Sequence, residues 1–145
     1  MKPPMSEPMR KLVNLLKEEH RRLLALIDPL EAVLSPTSGH PFDATKFRHV
    51  LEQMIELMAT HSETERVKLL PALQRCLPEV DYWQIKMLEI QDEAIYNGAL
   101  HLHEWLMEHP SPTSLGRLQK DGARLSRWTR EHIEFEEARL FPRLF

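Results

Sequence analysis

The feature that most restricts this chain is an 11-residue pattern that occurs twice. "HSETERVKLLP" runs from His61 to Pro71 and "HIEFEEARLFP" from His132 to Pro142, and both read His-x-Glu-x-Glu-x-x-(Lys/Arg)-Leu-(Leu/Phe)-Pro. On a helix, residues i and i+4 lie on one face, so each copy sets an imidazole beside a carboxylate: His61 with Glu65, and His132 with Glu136. Both histidines also fall on apolar stripes, after Met54 and Met58 in one case and after Leu125 and Trp128 in the other. A polar pair facing a core needs a partner, and a cation shared between two helices supplies one for both copies. Glu63 and Glu134, two positions after each histidine, point away and are read as solvated.

The rest of the chain favours helices. It has 11 prolines, 4 glycines and 28% charged residues among 145, a composition suited to long helices divided by proline-marked turns. A first helix spans Met9 to Leu34 on the spacing of Leu12, Leu16, Leu23, Ile27 and Leu30, with a kink expected at Pro29. After the breaker "SPTSGHPFD", Asp43 caps a second helix that runs to Leu70, with Phe47, Leu51, Met54, Met58 and Val67 on its apolar stripe. A third is expected from Tyr82 to Glu108 and a fourth, capped by Ser114, up to Pro142. Four long helices on short connections predict an all-α, antiparallel up-down-up-down four-helix bundle over residues 11–145, preceded by a flexible arm at 1–10.

In such a bundle the two motif helices run the same way, and similar halves would pair the first helix with the third. Laying "LLKEEHRRLL" over "MLEIQDEAIY" superposes the leucine spacings and sets His20 on Asp92. Counting from the turns brings His20, His61, Glu65, Asp92, His132 and Glu136 within about one helical turn of a common level. His101 and His103 lie roughly 13 to 16 Å further along the axis, and His49 fails the same test, which leaves His101 and His103 for a separate contact. His40 and His109 sit at breakers. Three imidazoles with three carboxylates exceed a closed tetrahedral zinc site and suit one or two iron ions, with manganese or zinc as alternatives.

Other functions find little support. A net charge of -3 and the lack of a basic stripe argue against nucleic acid, and no apolar run is long enough to cross a membrane. The single Cys76 excludes an intrachain disulfide and fits a reducing compartment, so a cytoplasmic location is expected. Trp83, Trp105 and Trp128 are read as core or subunit-contact anchors, and the terminal "LFPRLF" as docked on the bundle or joined in a homodimer.

His20 in "KEEHRRLL" and the two motif copies resemble the hemerythrin-like, or HHE cation-binding, domain over nearly the whole chain after the arm. The resemblance implies a non-haem di-iron centre with His20, His61, Glu65, His132 and Glu136 as ligands. It also implies binding of oxygen, sensing of oxygen or iron, or a response to peroxide or nitric oxide stress. The chain departs from the family on the third helix, where "IQDEAI" replaces the usual histidine, so that Asp92, or Gln91 or Glu93, ligates or the position is empty. An added carboxylate would favour the oxidised metal and disfavour reversible oxygen carriage. The alternatives are an oxygen- or peroxide-activating enzyme and an interaction protein with a vestigial site.

Overall fold

The computed structural model describes residues 6–35, 41–76, 82–109 and 115–144. Helix α1 (Glu7–Leu34) starts where the Ser6 hydroxyl accepts from the Met9 N–H at 3.4 Å. The expected arm is therefore helical from residue 7, and the buried Met9 ties that first turn to the core; residues 1–5 lie outside those described. The helix continues through Pro29. Helix α2 (Ala44–Thr64) is capped by Asp43, whose carboxylate accepts from the Lys46 N–H at 3.0 Å. It passes into a π-turn (Glu65–Leu69) and on through α3 (Leu70–Cys76), so Pro71 does not end it. Helices α4 (Tyr82–Glu108) and α5 (Leu115–Glu134) complete the bundle, and α5 leads through a second π-turn (Phe135–Leu140) into a 3₁₀ turn (Phe141–Leu144). The expected cap Ser114 lies outside the described residues.

Among the described elements, α1 packs against α2 and α5, and α4 packs against the same two. This is the neighbour pattern of an up-down-up-down square, an all-α four-helix bundle. Helices α1 and α5 approach closely at Gly122, where a Cβ would collide with Leu34.

The apolar interior is in two parts. The larger joins Leu23, Ile27, Phe47, Met54, Met58, Ile95 and Leu125 among others. The smaller joins Val13, Leu16, Leu69, Leu73, Leu88, Leu140 and Phe141. Along every strut of the bundle a polar residue lies between the two: His20 between Leu16 and Leu23, His61 between Met58 and Leu69, Asp92 between Leu88 and Ile95, His132 between Leu125 and Leu140. Water is kept from this polar layer on both sides by hydrocarbon. Val67, placed on the apolar stripe by simple spacing, is 51% exposed, because the π-turn hands the stripe on to Leu69 and Leu70. Trp83 is no core anchor, being 73% exposed, whereas Trp105 and Trp128 are half-buried against the larger core. The terminal Phe141 and Leu144 dock on the smaller one.

Candidate metal centre

All six residues expected in the layer are brought together. His20, His61, Glu65, His132 and Glu136 each offer one ligand atom, and these atoms lie within 4.8 Å of one another. His61 Nε2 is 2.5 Å from Glu65 Oε1, and His132 Nε2 is 2.6 Å from Glu136 Oε1, so each motif copy forms the i,i+4 clamp its spacing calls for. The clamps interlock: His132 Nε2 lies 3.1 Å from Glu65 Oε1, and His61 Nε2 lies 3.3 Å from Glu136 Oε1. His20 Nε2 completes the group at 3.2 Å from Glu136 Oε1. Asp92 joins at the edge, its Oδ1 3.2 Å from His132 Nε2. Neither Gln91 nor Glu93 takes that place; Gln91 turns to the outer nitrogen of His132, and Glu93 is exposed.

The local backbone serves these contacts. In each motif the residue before the proline reaches back five positions instead of four. The Leu70 N–H donates to the Glu65 carbonyl, and the Phe141 N–H donates to the Glu136 carbonyl. Pro71 and Pro142 have no N–H to continue the α-helical ladder, and the wider turn falls on the clamp glutamate both times. Successive side chains on an α-helix diverge by about 100°. The wider turn narrows that angle, and the adjacent Glu136 and Glu137 both reach His20, one at each ring nitrogen. Phe141 then stacks on the same imidazole, with centroids 6.0 Å apart and planes at 9°.

The outer nitrogens of the three histidines are all held, by residues that spacing alone did not identify. His20 Nδ1 donates to Glu137 at 2.6 Å, His61 Nδ1 to Glu19 at 2.8 Å, and His132 Nδ1 to the Gln91 amide oxygen at 2.8 Å. Thr64 steadies Glu19 from the far side with a hydroxyl bond of 3.3 Å. Each acceptor fixes the proton on Nδ1 and turns the Nε2 lone pair inward, the outer-shell arrangement typical of metal-bound histidine. The sequence carried a signal for Glu19 and Glu137, since each is the second of two consecutive glutamates, Glu19 beside His20 and Glu137 beside Glu136.

Lone pairs therefore converge on one region. His61 and His132 point Nε2 at Nε2 across 3.4 Å. Glu65 Oε2, Asp92 Oδ1 and Glu136 Oε2 are buried without a hydrogen-bond partner among the described residues. A nitrogen and oxygen donor set of this kind fits a cation. In the metal-free protein the same groups compete for protons. Burial pushes Glu65 up to about 8, aided by the Glu136 charge, and pushes Asp92 up to about 9, aided by the neighbouring Glu65 carboxyl. Burial opposes a charge on His61, but Glu136, Glu19 and Glu65 outweigh it and keep the imidazole well above its ordinary value. Burial likewise works against Glu136, yet His132, His20 and His61 hold its carboxyl well below the usual range.

The remaining histidines stand apart. His49 and His101 are exposed, His103 bonds Glu52 at 3.1 Å, and His109 stacks on Trp105 at 4.4 Å between centroids; His40 lies outside the described residues. No helix among the described residues is long and apolar enough to cross a membrane. The family model for the hemerythrin HHE cation binding domain matches residues 11–144. Neither a curated protein nor a solved structure matches the chain.

Proposed function

Because the chain belongs to the hemerythrin HHE cation-binding domain family, we propose that its buried His/Glu layer holds a non-haem iron centre of two ions that serves oxygen or redox sensing, iron handling or the response to oxidative and nitrosative stress. The observation that carries this reading is the convergence of three imidazole nitrogens and two carboxylate oxygens within 4.8 Å, all electron-pair donors. Two ions are favoured over one by the glutamates. Each places Oε1 among the imidazoles and keeps a buried, unpartnered Oε2, so each would have a second oxygen to offer a second ion. Asp92 Oδ1 adds a further unpartnered oxygen at the edge.

When bound, iron supplies redox chemistry toward dioxygen, peroxide or nitric oxide. The chain's own residues do the rest. His20, His61 and His132 are aimed by Glu137, Glu19 and Gln91, and Glu136 balances positive charge from the centre of the group. The two apolar cores keep bulk water from the layer along the bundle axis. Asp92, on α4 in place of an imidazole, adds negative charge that favours oxidised ions, which supports a redox-responsive role over reversible oxygen carriage.

Iron content by elemental mass spectrometry and the visible spectrum of the purified protein test this. Near-stoichiometric iron with a near-ultraviolet charge-transfer band is expected, lost in His61→Ala and shifted in Asp92→Ala. Catalytic consumption of peroxide would mark an enzyme instead of a sensor. A folded protein that stays free of iron after anaerobic ferrous loading would overturn the assignment and leave an interaction bundle with a vestigial site.

A further inference from the structure

The three ligand histidines are sealed and locked by hydrogen bonds at Nδ1. The carboxylate edge is built differently. A cleft of about 460 Å³ opens between α2 and α4 and reaches inward to Glu65 and Asp92. Glu65 is 1% exposed, and its Oε2, like Asp92 Oδ1, has no hydrogen-bond partner among the described residues. Further out, Glu89 and Glu93 line the same cleft on α4. Two cations also stand there, Arg66 and Lys86, but both are engaged by carboxylates, Arg66 by Glu63 at 2.7 Å and Lys86 by Glu89 at 3.2 Å. The lining thus leads from solvent, past Glu89 and Glu93 at its mouth, to the buried oxygens of Glu65 and Asp92.

We infer that this cleft is the port through which a divalent cation enters and leaves the centre, with Glu89 and Glu93 as its acidic lip and Glu65 and Asp92 as the receiving groups. This rests on the metal-centre reading above. Carboxylates at the mouth of such a cleft offer an entering cation transient oxygen partners and speed its capture without adding to the affinity of the final site. The imidazoles are held at Nδ1, whereas Glu65 Oε2 and Asp92 Oδ1 have no hydrogen-bond partner among the described residues, so these groups can turn to meet an ion while the imidazoles stay in place. A second cleft of about 450 Å³ between α4 and α5 carries acidic residues too, Glu104 and Glu108, but none of the residues of the centre lines it.

Stopped-flow uptake of cobalt(II) by the metal-free full chain, at low ionic strength, tests the port. The double variant Glu89→Gln/Glu93→Gln should bind cobalt about three- to tenfold more slowly, with unchanged equilibrium affinity and a smaller dependence on salt. Ala59→Trp, which fills the cleft from the exposed face of α2, should slow uptake and release together. Glu104→Gln/Glu108→Gln, in the other cleft, should leave the rate unaltered. Equal rates in both double variants, at full affinity, would overturn the port alone. A wild-type protein that binds no cobalt at equilibrium would overturn the centre and the port with it.

Discussion

The two copies of the motif begin from the same residues and end in different surroundings. Glu136 is fully buried among three imidazoles, with Nε2 atoms at 2.6, 3.2 and 3.3 Å, and they hold its carboxyl well below the usual range. Glu65 has two imidazoles at 2.5 and 3.1 Å but shares its environment with Glu136 and Asp92 and borders the open cleft; burial and its acidic neighbours push it up to about 8. One clamp is an anchor and the other an adjustable edge. Spacing on a helix creates the clamp, and what the neighbouring helices present decides which role it plays.

The comparison can be broken most severely at His132, which touches both glutamates and faces His61. His132→Ala should lower metal affinity by more than the roughly 10- to 100-fold that loss of an outer partner costs, as read by competition with a chelator. Next in size are the outer partners themselves. Glu19→Ala and Gln91→Ala should each reduce affinity about 10- to 100-fold, without a comparable loss of helicity by circular dichroism.

Titration sharpens the contrast. In the metal-free protein Glu65, Asp92 and His61 bind protons more tightly folded than unfolded. Stability should therefore fall as pH rises from about 4.5 to 8 for Glu65 and from 3.8 to about 9 for Asp92. Glu136 works in the opposite sense, contributing stability above 4.5 that is lost as pH falls through its lowered value. Melting temperatures of the metal-free protein should drop between pH 5 and 9, and Glu65→Gln and Glu136→Gln should both flatten that slope, the second because the Glu136 charge helps raise Glu65 and His61. A melting temperature that rises across this interval would contradict the assignment.

Smaller effects belong to packing. Phe141 and Leu70 occupy equivalent positions before the two prolines, but only Phe141 stacks on an imidazole. Phe141→Leu, which makes the second motif like the first, should cost about 1 kcal/mol in denaturant unfolding and loosen His20. Smallest of all, Glu63→Gln breaks an exposed pair with Arg66 and should change stability by no more than about 0.5 kcal/mol.

Much of this was legible in the sequence because helices convert spacing into direction. The repeat gave both clamps, leucine spacing set His20 level with Asp92, and counting from the turns excluded His49, His101 and His103. What spacing missed follows from the π-turns. A period of 3.6 puts Val67 on the core and Glu137 away from it, and the wider turns reverse both. The aim of Glu19 and Gln91 depends on which neighbouring helix faces them, a property of the assembled bundle that a single helix does not carry.

The most direct test is an anaerobic ferrous titration of the metal-free protein beside Glu65→Gln and Glu136→Gln, with bound iron counted per chain. The wild type should saturate at two ions, Glu136→Gln should retain none under the same conditions, and Glu65→Gln should keep at least one. A folded wild-type protein that binds no iron, or two variants that lose it equally, would contradict the account of an iron centre anchored on Glu136 and open at Glu65.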